Sequence, residues 1–99
     1  MFVTVFTFHA KPGREEAVFT LFDEWQRDRR ALAKGFVSGD LYRDTHDPGA
    51  FISVASFESE RDLRALAATP EQDTWYRKLV ALSEREPVFT DCEVEWRVR

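Results

Sequence analysis

The run FVTVFTFH, Phe2–His9, constrains this chain more than any other stretch. It is β-branched and aromatic, too short for a typical helix, and apolar on both faces once read as a strand. Only its two Thr and the closing His interrupt that character. A strand of this kind is covered on both sides. AFISVASF, Ala50–Phe57, repeats the pattern, with Phe51, Ser53, Ala55 and Phe57 on one face and Ile52, Val54 and Ser56 on the other. FVSGDLYRD, Phe36–Asp44, precedes it as a further strand. Asp47-Pro48-Gly49 supplies turn chemistry between the two, which predicts an antiparallel hairpin.

Helices fill the gaps. After the KPGREE turn, Val18, Leu21, Phe22, Trp25 and Leu32 recur at helical spacing and predict a helix from Arg14 to about Ala33, closed by Gly35. Arg29 falls on the same stripe, where its stem snorkels past Trp25 or its head meets an anionic ligand. Ser59 reads as the N-cap of a short helix carrying Leu63, Leu66 and Ala67, with Asp62 as its capping-box acid. Thr69-Pro70-Glu71-Gln72 opens another helix, with Trp75, Leu79 and Leu82 in its stripe, Tyr76 and Val80 on a flank, and Pro87 beyond its end. VFTDCEVEWRVR predicts a final strand that buries Val88, Thr90, Cys92, Val94, Trp96 and Val98.

The order β-α-β-β-α(α)-β defines an α+β class chain: a ferredoxin-like, four-stranded antiparallel sheet with its helices on one face. The 99 residues hold one domain, 1–99, and none remain to cover the other sheet face. A second copy, sheet against sheet, is the economical cover, so a homodimer is expected. The net charge of −4 argues against a nucleic-acid partner, and Arg27–Arg30 (RDRR) reads as a solvated helix face interrupted by acid. The lone Cys92 rules out an internal disulfide and points to a reducing compartment, with the thiol expected inside the sheet. No leader-like run or apolar stretch of about 20 residues occurs, so a cytoplasmic protein without membrane contact is expected. His9 and His46 stand too far apart for a metal signature, and no metal site is expected.

With these elements in place, FTFHAKPGREEAV resembles the first-strand exit and helix entry of the antibiotic biosynthesis monooxygenase family. GDLYRDTHDPGAFISVASFESERDLRALAATPEQ resembles its central hairpin and strand-to-helix joint. The resemblance covers nearly the whole chain and implies the homodimeric α+β barrel, in which two such sheets close face to face. It also implies oxygenation of aromatic, polyketide or quinol-like small molecules with neither metal nor flavin as cofactor. The Asn, Trp, Tyr and Arg of the polyketide oxygenases correspond to Ser53, Phe57, Leu63 and Arg77. The Asn, Trp and His of the haem-degrading branch correspond to Phe6, Leu66 and Tyr76, and the paired His of quinol-type relatives to Leu66 and Glu71.

Function is therefore sought in a cavity between the helices and the Phe51/Ser53/Ala55/Phe57 face. Trp25, Phe57 and Trp75 are expected as aromatic wall, Phe6, Phe51 and Leu66 as further apolar contacts, and Arg29, Ser53 and Tyr76 as polar ones. Ser53, Tyr76 and His9 are the candidates for proton or hydrogen-bond chemistry. Two other functions stay open at this stage: a non-catalytic small-molecule binder on the same fold, and an isomerase-type enzyme acting on a small hydroxy-ketone.

Overall fold

The computed structural model describes residues 1–98. Strands β1 (Phe2–His9), β2 (Phe36–Asp44), β3 (Asp47–Phe57) and β4 (Val88–Glu93) form one antiparallel sheet in the order β2-β3-β1-β4. Helices α1 (Glu15–Asp28), α2 (Glu60–Ala67) and α3 (Pro70–Leu82) pack against one face. The molecule is only 21 Å deep in its thinnest direction, the depth of two layers. This is the ferredoxin-like arrangement.

Strand alternation sorts the sheet. Phe2, Thr4, Phe6 and Phe8 of β1 are buried towards the helices, in register with Phe57, Ala55, Ser53 and Phe51 of β3. The core beneath them falls into two groups. Phe6, Phe8, Val18, Leu21, Phe51, Trp75 and Leu79 close under α1 and α3, while Phe2, Phe57 and Leu63 close under α2. The two α-helical caps form as the sequence implies: Ser59 Oγ accepts from the Asp62 N–H at 3.2 Å, and Thr69 Oγ1 from the Gln72 N–H at 3.3 Å.

Four expectations are corrected. First, α1 stops at Asp28, and a short 3-10 turn, Arg30–Leu32, leads off it. Leu32 leaves the stripe and is 72% exposed. Second, the hairpin turns at Thr45-His46, because the Asp44 carboxylate accepts the His46 N–H at 2.7 Å and closes a tighter loop. Asp47-Pro48-Gly49 thereby joins β3. Pro48 is tolerated there because pairing with β1 begins only at Ala50, so its missing N–H breaks no bond to that strand.

Third, β4 ends at Glu93, and residues 94–98 leave the sheet, with Trp96 80% exposed. Fourth, β4 does not bury its apolar face. Register with β1 turns Phe89 and Asp91 towards the helices and puts Val88, Thr90 and Cys92 on the opposite face. Cys92 is consequently an exposed thiol rather than a buried one. That opposite face also carries Val3, Val5, Ile52 and Val54, and none of its residues is fully buried. No helix among the described residues is long and apolar enough to cross a membrane.

Candidate functional site

Successive rows across the helix-facing side of the sheet differ sharply in bulk. One row runs Glu93, Phe2, Phe57, Phe36, and another runs Phe89, Phe6, Ser53, Leu41. Between them lies Asp91, Thr4, Ala55, Gly39. Small side chains between two bulky rows make a trough, and glycine in a strand allows close approach from above. A Cβ on Gly39 would already stand 3.2 Å from the Phe36 ring. The trough opens into a cavity of about 810 Å³ at the seam of the two core groups, roofed by α1, α2 and α3.

Aromatic side chains line much of that cavity. Phe36 stands edge-on to Phe57 at 5.6 Å and tilts against Trp25 at 5.1 Å, and Tyr76 meets Phe89 at 5.7 Å. Both indole N–H groups of the wall are committed to the fold. Trp25 Nε1 donates to Gln72 Oε1 at 2.9 Å and Trp75 Nε1 to the Leu21 carbonyl at 2.8 Å. These bonds tie α1 to α3, so the two rings present apolar faces to the cavity and keep no donor for a ligand.

Of the residues expected at the site, Phe6, Trp25, Ser53, Phe57, Leu66, Trp75 and Tyr76 line the cavity together. Phe51, Arg29 and His9 do not. Phe51 is sealed in the core against Phe8 and Phe19. Arg29 reaches Thr69 Oγ1 at 3.4 Å, just past the end of α1, where its stripe has already turned away. His9 ends β1 on the other face of the sheet from Phe8. There its Nε2 meets Asp47 Oδ2 at 3.0 Å and its Nδ1 donates to the Ala10 carbonyl at 3.0 Å. Arg77 faces solvent and pairs with Asp73 at 2.7 Å.

The electrostatics of the remaining polar groups is specific. Burial, aided by the negative charge of Glu86, raises the Tyr76 hydroxyl above its ordinary value. Tyr76 therefore stays protonated at neutral pH and serves as a donor, not a base. Ser53 is a buried hydroxyl on the cavity floor. Sequence reasoning missed the polar group at the end of the trough. Thr4 Oγ1 donates to Asp91 Oδ1 at 2.8 Å, and Arg64 Nη2 reaches Asp91 Oδ2 at 3.0 Å. Asp91 looked like one of the outward charges of β4, and only register with Thr4 shows that it points in. Among the described residues no group of three or more His, Cys, Asp or Glu is placed to hold a metal ion.

A ferredoxin-like sheet with an aromatic cavity between it and its helices defines an α+β domain with room for a small molecule. The profile of the family described as antibiotic biosynthesis monooxygenase matches residues 1–78, and the chain belongs to that family. Solved structures agree on the fold. A Nitrosomonas europaea protein named as a candidate antibiotic biosynthesis monooxygenase superposes with TM-score 0.82 at 17% identity, over 97% of this chain and 100% of its own. Its counterpart from Deinococcus radiodurans gives 0.83 at 17% identity, over 100% and 97%. A Mycobacterium tuberculosis protein gives 0.83 at 19% identity, over 99% and 98%. No curated protein matches the chain.

Proposed function

We propose that the protein is a cytoplasmic, homodimeric monooxygenase that oxidises a small hydroxylated aromatic, polyketide-like or quinol molecule without a metal or flavin. The observation that carries this reading is the cavity of about 810 Å³, walled by Trp25, Phe36, Phe57 and Trp75, with a few polar groups on its floor. Such a site holds a flat ring between apolar faces and orients it by a small number of hydrogen bonds. Family membership and the monooxygenase names of its structural relatives support the reaction class.

In this chemistry the substrate is its own reductant. A ring carbon in its CH2 tautomer gives up two hydrogens, dioxygen adds one oxygen atom to that carbon as a carbonyl, and the other oxygen leaves as water with those hydrogens. Tyr76, held protonated, would hydrogen-bond the phenolate or enolate oxygen that develops as the ring is deprotonated, and Ser53 would fix the ring's register on the floor. The open sheet face, with Val5, Ile52, Val54 and Val88, would meet the same face of a second copy. An exposed Cys92 thiol fits a reducing compartment.

A binder without turnover is the second reading, favoured by the Trp25 and Trp75 N–H groups being consumed within the fold. Oxygen uptake with dihydroxyanthracenes and menadiol separates the two, with heat-denatured protein as the autoxidation control. Uptake above that control, unchanged by a chelator or by added flavin, is expected. Tight binding of these compounds with no uptake above the control would replace the oxygenase with the binder.

A further inference from the structure

We propose that Asp91 is the specificity-determining residue of the cavity: it accepts a hydrogen bond from the hydroxyl of a hydroxyarene that enters neutral, and it disfavours entry of the same ring carrying a carboxylate. This rests on the reading of the cavity as a site for aromatic molecules. The row Asp91, Thr4, Ala55, Gly39 is a floor of small side chains with a carboxylate at one end and nothing else charged along it. A flat ring laid between the aromatic rows therefore directs one edge at Asp91.

That carboxylate is held in place. Its side chain is 27% exposed on an edge strand whose backbone is open to solvent, so the group leans inward from the rim. Thr4, itself buried, donates to Oδ1 at 2.8 Å, and Arg64 reaches Oδ2 at 3.0 Å. A carboxylate offers about four acceptor positions, so each oxygen retains one for a ligand donor. Thr4 and Arg64 are positioning residues: they fix where the two free lone pairs point.

The charge balance sets the ligand class. Four acids, Asp23, Asp40, Asp73 and Asp91, line the cavity against two bases, Arg30 and Arg64. Arg30 lies over the Phe36 ring at 4.9 Å, and Arg64 divides its guanidinium between Asp91 and Glu60, the latter at 3.2 Å. A hydroxyl that donates to a carboxylate gains a charge-assisted bond, whereas an anionic ring meets a lining in which acids outnumber bases.

Calorimetric titration with naphthalene, 2-naphthol and 2-naphthoate tests this on the intact protein. Wild type is expected to bind 2-naphthol about tenfold more tightly than naphthalene, and naphthalene more tightly than 2-naphthoate. Asp91→Asn should bring 2-naphthol to within about twofold of naphthalene and narrow the penalty on 2-naphthoate. Thr4→Val should lower the ratio of naphthol to naphthalene affinity measured within that variant, a split that a merely structural role would not produce. An unchanged near-ultraviolet circular dichroism spectrum, from Trp25, Trp75 and Tyr76 in the cavity wall, reports an intact cavity in each variant. Naphthoate binding as tightly as naphthol in wild type, or a preference retained in Asp91→Asn, overturns the assignment and leaves the aromatic cavity standing. If none of the three compounds binds wild type, the aromatic-site reading itself falls and the role of Asp91 with it.

Discussion

His9 bonds through both ring nitrogens to acceptors, the Ala10 carbonyl and the Asp47 carboxylate, with Glu84 Oε1 a further 3.4 Å from Nδ1. An imidazole satisfies two acceptors only when both nitrogens carry a proton. The bond to the Ala10 carbonyl and then that to Asp47 accordingly raise its pKa. Because the folded value lies above the unfolded one, His9 stabilises the fold fully below the unfolded pKa, about 6.5, and loses that contribution as pH climbs through the higher folded value. Melting temperatures of wild type and His9→Gln should therefore differ most near pH 5.5 and converge by about pH 8.5. A gap that widens with pH would refute this assignment. The ring also packs on Gly49, where an added Cβ would stand 2.5 Å from it, so the contact requires that glycine. A strand-end histidine was visible in the sequence. Its partner Asp47 was not, because that residue looked like part of a turn.

At the scale of elements, the joint between β3 and α2 combines local chemistry with a distant constraint. Ser59 caps α2, and Phe57, 1% exposed, packs on Phe2, Phe36 and Leu63. Gly35 lies beside this joint. It adopts φ 78°, its carbonyl accepts from the Glu58 N–H at 2.8 Å, and an added Cβ would strike the Asp62 side chain. Gly35→Ala combines left-handed backbone strain of about 1 kcal/mol with displacement of Asp62 from its bond to Ser59. Urea unfolding should show a loss of about 1–3 kcal/mol, with the higher part of that range if Asp62 cannot move aside. Gly13→Ala, also at positive φ but with open space around its Cβ, should cost only the backbone part. Equal losses at the two glycines would remove the Asp62 contact from the account. Helix caps and stripes were legible because their partners lie within four residues. The end of α1 was not, since Leu32 has the right residue type at the right spacing and only its lack of a packing partner excludes it.

For the whole molecule, two layers leave one sheet face without cover. Val3, Val5, Ile52, Val54 and Val88 place apolar surface there, with Ile52 and Val88 at 42% and 64% exposure. Sedimentation equilibrium at micromolar concentration should give twice the chain mass, and Ile52→Arg, on that face and outside the cavity lining, should give the single-chain mass with the ligand cavity intact. A monomeric wild type would end the homodimer proposal. The apolar character of this face was evident from Phe2–His9 and Ala50–Phe57 alone, since alternation within a strand exposes both faces to inspection.

Element order, the identity of the two caps, the apolar stripes and the ferredoxin-like class all follow from the chain itself. Each depends on residues within one turn or one strand of each other, where spacing is geometry. Tertiary structure decided what crosses between strands. It turned β4 so that Phe89 and Asp91 face the helices and Cys92 faces out, drew Thr4, Ala55 and Gly39 into one shallow row, and ended that row on a carboxylate held by Arg64. Alternation states that a strand has two faces. Only register says which neighbour each face meets, and therefore where the cavity ends and what charge waits there.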